Sequence, residues 1–183
     1  MKTTDQLSRD HQAILRSLEI LKSAATAWQS EYAGSAEDCR SLIEFLKTFA
    51  DSCHHGKEER VLFPKLTDAG MPTAGGPLGV ILDEHEQGRE LIRAMERALA
   101  TGSAADFAHH ANRYAQLLEQ HIAKEDNILF PKAGDVLTHE DDEALLRRFD
   151  EIEHEMGDET HERFHKMLDM LEWRYLSKPS KAS

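Results

Sequence analysis

Apolar residues recur along this chain at spacings of three and four, the period of an amphipathic helix. Leu7, His11, Ile14, Leu18, Leu21, Ala25 and Trp28 predict a first helix from about Thr4 to Glu31, which Gly34 stops. Ser35, with Asp38 three residues on, reads as the cap of a second helix running through Leu42, Phe45, Leu46, Phe49 and Cys53 to an end at Phe63-Pro64. DAGMPTAGGP, residues 68–77, is the clearest break and reads as a loop. A third helix is expected from about Leu78 to Ala100. Thr101-Gly102-Ser103 with Asp106 then starts a fourth, ending near Phe130-Pro131. From Thr138 the pattern is again helical through Leu145, Leu146, Phe149, Ile152, Met156, Phe164, Leu168 and Leu171, with a bend or break at Gly157.

Four long helices with short connections predict an all-α fold, an up-down-up-down four-helix bundle with an additional C-terminal helix or helices. The expected organisation is a bundle over residues 1–134, a helical extension packed on it over 135–176, and a flexible tail over 177–183. Bundles of this kind build metal sites from side chains that face one another across the core.

Composition narrows the function classes. The chain has 183 residues, 40% hydrophobic and 31% charged, enough to bury a sizeable core beneath a solvated surface. A formal charge of -12 disfavours nucleic acid, whose binding rests on basic side chains displacing counterions. No apolar run is long enough to span a membrane, and MKTTDQLSRD lacks a signal-peptide core, so the expected location is the cytoplasm. Cys39 and Cys53 lie 14 positions apart on one predicted helix, too far for a disulfide, and no CxxC motif exists. What composition leaves unexplained is a count of 11 histidines.

A repeat sorts those histidines. HHGKEERVLFPK, residues 54–65, and HIAKEDNILFPK, residues 121–132, share seven of twelve positions. Within each, His and Glu stand four apart, one above the other on a helix face, so an imidazole nitrogen and a carboxylate can reach a common point. The two pairs, His54/Glu58 and His121/Glu125, fall on the second and fourth helices. The first helix offers His11 on its apolar stripe, and the third offers His85. Taken singly, each histidine suits a surface or a satisfied core position. Taken together, burying four imidazoles and two carboxylates without a cation would cost several kcal/mol per group. Imidazole and carboxylate without thiolate suit iron or manganese better than structural zinc, and two bridging carboxylates suit two metals with positions left for a small ligand.

At these residues the sequence resembles the hemerythrin-like (HHE cation-binding) family over about residues 5–132. The resemblance implies a bundle around an oxo- or hydroxo-bridged pair of iron ions, with manganese or zinc as substitutes. It assigns His11, His54, His85 and His121 as ligands and Glu58 and Glu125 as bridges. Members bind dioxygen, sense oxygen or iron, handle nitric oxide or decompose peroxide. The oxygen carriers have a further histidine where this chain has Arg89, which argues against simple reversible oxygen carriage and leaves a position to fill. His55, whose repeat partner Ile122 faces the apolar side, is the best substitute, and His161 is a further candidate if the C-terminal segment folds over the bundle's end. Arg89 is expected at the pocket mouth, where a guanidinium could stabilise an anionic ligand. Glu59 and Asp126 are expected to be solvated or to support the ligands from behind. His109, His110 and His139 are expected at the surface. Glu151-x-x-His154 and Glu162-x-x-His165 have the ExxH spacing of ferritin-like centres, but both lie in one segment where that architecture needs two core helices.

The expected function is a non-haem di-iron protein that binds dioxygen, peroxide or nitric oxide, in oxidative or nitrosative stress or in oxygen or iron sensing. A peroxide-decomposing oxidoreductase and a metal-storage protein are the alternatives. The expected partner is a small diatomic or peroxide ligand, with no nucleic acid and no membrane.

Overall fold

The computed structural model describes residues 1–32 and 34–177, and positions 178–183 of the expected tail lie outside it. The elements are α1 (Lys2–Gln29), α2 (Ser35–Phe45), π1 (Leu46–His55), π2 (Glu58–Leu62), α3 (Phe63–Asp68), α4 (Pro77–Thr101), α5 (Ala104–Lys124), π3 (Glu125–Leu129), α6 (Phe130–Val136), α7 (His139–Met156) and α8 (Asp158–Tyr175). Segments α2 to α3 run on as one long helix, and so do α5 to α6, which leaves four long bundle helices and two C-terminal ones. Each bundle helix packs on its neighbours in sequence, α4 also packs on α2, and α5 closes the ring against α1. No strand occurs among the described residues. Among the described residues no helix is long and apolar enough to cross a membrane.

Two boundaries differ from the sequence expectation. Pro64 and Pro131 do not end their helices, which continue to Asp68 and Val136. Just before each proline the backbone widens by one residue: the Phe63 amide donates to the Glu58 carbonyl, and the Phe130 amide to that of Glu125. A π turn shifts the hydrogen-bond register and relieves the clash a proline ring makes with the carbonyl four residues back. The second helix is entered through Gly34 in the left-handed conformation, φ 89°, and not through a Ser35 cap. The Ser35 hydroxyl donates to the Tyr32 carbonyl instead, while Asp38 accepts from Arg174 and Tyr175 of α8. Ser103 starts its helix as expected and caps it, and Thr138, where the helical pattern resumes, caps α7. Gly157, at φ 86°, breaks α7 from α8, a conformation that glycine adopts without Cβ strain.

The core is divided in two along the bundle axis. One cluster holds Ile14, Leu18, Leu46, Ile92, Leu118 and Ile122, and α8 adds Phe164, Leu168 and Leu171 to it. The other holds Leu7, Cys53, Leu62, Ile81, Leu129 and Phe130, and α7 adds Leu145, Phe149 and Ile152. His11 sits between Leu7 and Ile14, and His85 between Ile81 and Ile92, so a polar layer separates the clusters. The C-terminal helices thus complete the core on both sides of that layer. Asp142 of α7 also caps α1, accepting from the Lys2 and Thr3 amides at 3.0 Å each.

Candidate metal centre

The polar layer gathers His11, His54, Glu58, His85, His121 and Glu125, all buried, from all four bundle helices. Glu58 and Glu125 each open a π segment, π2 and π3, where a widened turn aims the carboxylate inward four residues after its histidine. The His11 and His54 Nε2 atoms face each other at 3.1 Å, and those of His85 and His121 at 3.2 Å. Glu125 Oε2 lies 3.1 Å from His11 Nε2 and 3.3 Å from His121 Nε2, so this one oxygen faces both pairs. Glu58 does the same with two oxygens, Oε1 at 3.7 Å from His54 Nε2 and Oε2 at 3.4 Å from His85 Nε2.

Two sets of donor atoms are close enough to hold an ion each. One is His11, His54, Glu58 and Glu125; the other is His55, Glu58, His85 and His121; within each, donor atoms lie within 4.8 Å of one another. Glu58 belongs to both. All four oxygens of Glu58 and Glu125 are buried without a hydrogen bond. Buried carboxylates ordinarily accept several hydrogen bonds. Two carboxylates with orphaned oxygens facing four imidazole nitrogens are the arrangement of lone pairs converging on cations, and the donor set fits a first-row metal without thiolate.

Each of the four imidazoles of the layer is held from behind by a carboxylate at its Nδ1. Asp126 holds His11 at 3.0 Å, Asp10 holds His54 at 3.3 Å, Glu59 holds His85 at 2.6 Å and Glu84 holds His121 at 3.1 Å. Such partners fix ring orientation and tautomer and raise ligand basicity. The carboxylates are braced in turn: Asp10 by Lys57, Glu84 by Lys124, Glu59 by Arg89 and Asp126 by the Ser8 hydroxyl. Phe130 stacks on His11 with centroids 5.5 Å apart, and Phe63 on His85 at 6.0 Å. The arrangement is a pseudo-twofold: α1 with the second helix repeats as α4 with the fourth in the histidines, the carboxylates behind them and the stacked phenylalanines.

Without a cation the layer balances its charge with protons. Burial would lower the His11 pKa, but Asp126 and Glu125 outweigh it and raise the value to about 10. His85 is lowered by burial yet raised to about 9 by Glu58 and Glu59. Burial would raise Glu58, but His54, His85 and His55 bring it far below the carboxylate range.

The symmetry fails at His55, which has Ile122 as its counterpart. His55 is buried, with Nδ1 3.3 Å from Asp51 and Nε2 without a partner. Its ring lies nearly parallel to that of His85, 16° apart with centroids at 3.8 Å. Imidazole lone pairs lie in the ring plane, so for both rings to bind one ion, one of them must turn. Beside this pair a cavity of about 160 Å3 reaches the surface, lined by His55, His85, Asp51, Arg89, Tyr114 and Lys47 among others. Arg89 is at the mouth, its guanidinium 2.9 Å from Asp51 and 2.5 Å from Glu59.

His161 is not brought to the centre: it is exposed on α8, 4.5 Å from the His165 ring and 5.9 Å from that of Phe49. Glu151, His154, Glu162 and His165 are exposed, as are His109 and His139, and His110 is half-buried away from the layer. Sequence reasoning missed Asp10, Asp51, Glu84 and the two lysines. A signal was available, since an acidic residue adjoins each of His11, His85, Glu58 and Glu125.

The fold and this layer define a helical-bundle protein with a cation-binding centre in its core. The hemerythrin HHE cation binding domain matches residues 2–133, and the chain belongs to that family. An uncharacterized protein of Mycobacterium tuberculosis is 26% identical over 156 residues, 82% of this chain and 60% of the relative. The iron-sulfur cluster repair protein YtfE of Salmonella newport is 28% identical over 119 residues, 60% of this chain and 54% of YtfE. The chain therefore spans little more than half the length of these relatives. No solved structure matches.

Proposed function

We propose that this is a cytoplasmic non-haem di-iron protein that binds a small ligand, dioxygen, peroxide or nitric oxide, beside His55 and His85. The observation that carries the reading is the pair of donor sets joined through Glu58, with all four oxygens of Glu58 and Glu125 unsatisfied. His11 and His54 would hold one ion, His85 and His121 the other, with Glu58 and Glu125 between them. The relative named for iron-sulfur cluster repair and the thiolate-free donor set support iron.

Bound there, two irons would supply reversible one-electron chemistry and open positions for a small ligand. The protein's own part is geometric. Leu62, Phe63, Leu129 and Phe130, all buried, keep bulk water from the layer. The cavity beside His55 is large enough for a ligand of two or three heavy atoms. The unpartnered Nε2 of His55 is available to it as a hydrogen-bonding group. Arg89 has its charge engaged by Asp51 and Glu59, so it acts here as a brace that holds the carboxylates behind His85 and His55.

Iron-loaded protein should answer azide when oxidised, and nitric oxide when reduced, with new absorption bands. His55→Ala should alter those spectra while leaving iron content intact. Spectra indifferent to azide, nitric oxide and oxygen would contradict this reading and favour storage.

A further inference from the structure

Lys57 and Lys124 occupy equivalent places in the repeat, yet their surroundings differ in a way the ligand set does not require. Each ammonium braces the carboxylate behind a histidine: Lys57 sits 2.9 Å from Asp10, behind His54, and Lys124 pairs with Glu84, behind His121. Lys124 has 37% of its side chain exposed. Lys57 is 1% exposed and holds a second carboxylate, Glu153 of α7, at 2.5 Å. Glu153 also accepts from Gln6 at 2.8 Å, and the Phe149 ring on the same helix lies 5.9 Å from the ammonium. A buried ammonium is costly unless fully paired, so Glu153 and Asp10 are both needed to keep it there. The result is an unbroken line, Glu153 to Lys57 to Asp10 to His54, from the C-terminal helices to one half of the centre. The other half lacks such a line and opens on the cavity beside His55 and His85.

We propose that Lys57 and Glu153 are positioning residues that lock His54 and make the His11–His54 metal position the slowly exchanging one, while the His85–His121 position exchanges faster. Release of a metal requires a ligand ring to turn away. Lys57 holds Asp10 and Asp10 holds the ring, so with α7 docked the first step of release is opposed more strongly on that side, where the brace is buried and paired twice, than at His121, where Lys124 is part-exposed. The inference rests on the reading that two irons occupy the centre.

The test is iron release from the reduced, loaded full-length chain into excess bipyridine, followed as chelate colour. Wild type should release its irons in two phases of equal amplitude. Glu153→Gln, at a side chain 41% exposed and so tolerant of substitution, should speed the slow phase roughly tenfold and leave the fast phase alone. Lys57→Met should act in the same direction, with Lys57→Arg partly restoring the slow phase, and Lys124→Met should change only the fast one. A single phase in wild type, or a Glu153→Gln variant that speeds both phases equally or neither, would overturn the proposal alone. Uptake of fewer than two irons by wild type would overturn the di-iron reading and the proposal with it.

Discussion

His85 Nδ1 lies 2.6 Å from Glu59 Oε1, while the opposite nitrogen of the same ring faces Glu58 Oε2 at 3.4 Å. Adjacent residues of one helix therefore grip both ends of an imidazole on another, one carboxylate within the polar layer and one behind it. His11 is gripped in the same way by Glu125 and Asp126. The spacing that makes this possible is the π turn, which starts at the inner carboxylate of each pair.

Glu59→Gln should therefore weaken metal binding without removing a ligand. Loss of such an outer partner typically costs 10- to 100-fold in affinity, so a loss of roughly tenfold is expected in a competition titration against a chelator. Arg89→Ala should produce a smaller loss in the same direction, because it frees Glu59. Unchanged affinity in both variants would show that His85 needs no support from behind.

The pH dependence of the metal-free protein follows from His11 and His85. Their folded values, about 10 and about 9, lie above the ordinary 6.5. The stability they contribute is fully present below about pH 6.5 and is lost as pH rises through about 9 to 10. Metal needs the neutral imidazoles, so its affinity should rise over the same interval. Urea unfolding of the chelator-treated protein should show a midpoint that falls with pH while metal affinity climbs. A midpoint that rises across this range would contradict the proton-balanced layer.

Asp142→Ala should destabilise the bundle although it lies outside it. The substitution removes the acceptor of the Lys2 and Thr3 amides at the start of α1. Loss of a helix cap costs about 1 kcal/mol. The check is the denaturant midpoint at neutral pH. Because burial opposes but the Thr3 and Lys2 contacts win, the Asp142 pKa is lowered. Its contribution should therefore vanish as pH falls below 3.8, its ordinary value, and through its folded pKa.

Phe164→Ala should be as costly as a substitution inside the bundle. Phe164 is 2% exposed and meets Phe45 edge-on at 5.4 Å. A loss of about 3–5 kcal/mol is expected for a buried phenylalanine. A loss below about 1 kcal/mol would mean that α8 docks weakly and the bundle stands without it.

Much of this was legible in the sequence, for identifiable reasons. The threefold and fourfold spacing gave the helices because burial imposes it, and Gly157 and Ser103 marked their places through local backbone chemistry. The HxxxE repeat pointed to the buried His/Glu layer because four-residue spacing stacks two side chains on one face. The π turns were hidden, since one extra residue in a turn leaves the apolar pattern almost unchanged and Phe-Pro reads as a stop. Glu59 and Asp126 could be read as supports because they adjoin the inner glutamates, but Asp10 and Glu84 were hidden because each serves a histidine on a different helix: Asp10 adjoins His11 but holds His54, and Glu84 adjoins His85 but holds His121. Lys57 and Lys124 stand at the same repeat position, and only the fold, with Glu153 of α7 beside Lys57, sets them apart.

The most direct test of the central claim is metal analysis with an optical spectrum of protein purified from iron-fed cells. The account predicts about two irons per chain with the absorption of a bridged pair, lost in His54→Ala and in Glu125→Ala. One tightly held zinc and no iron would contradict it.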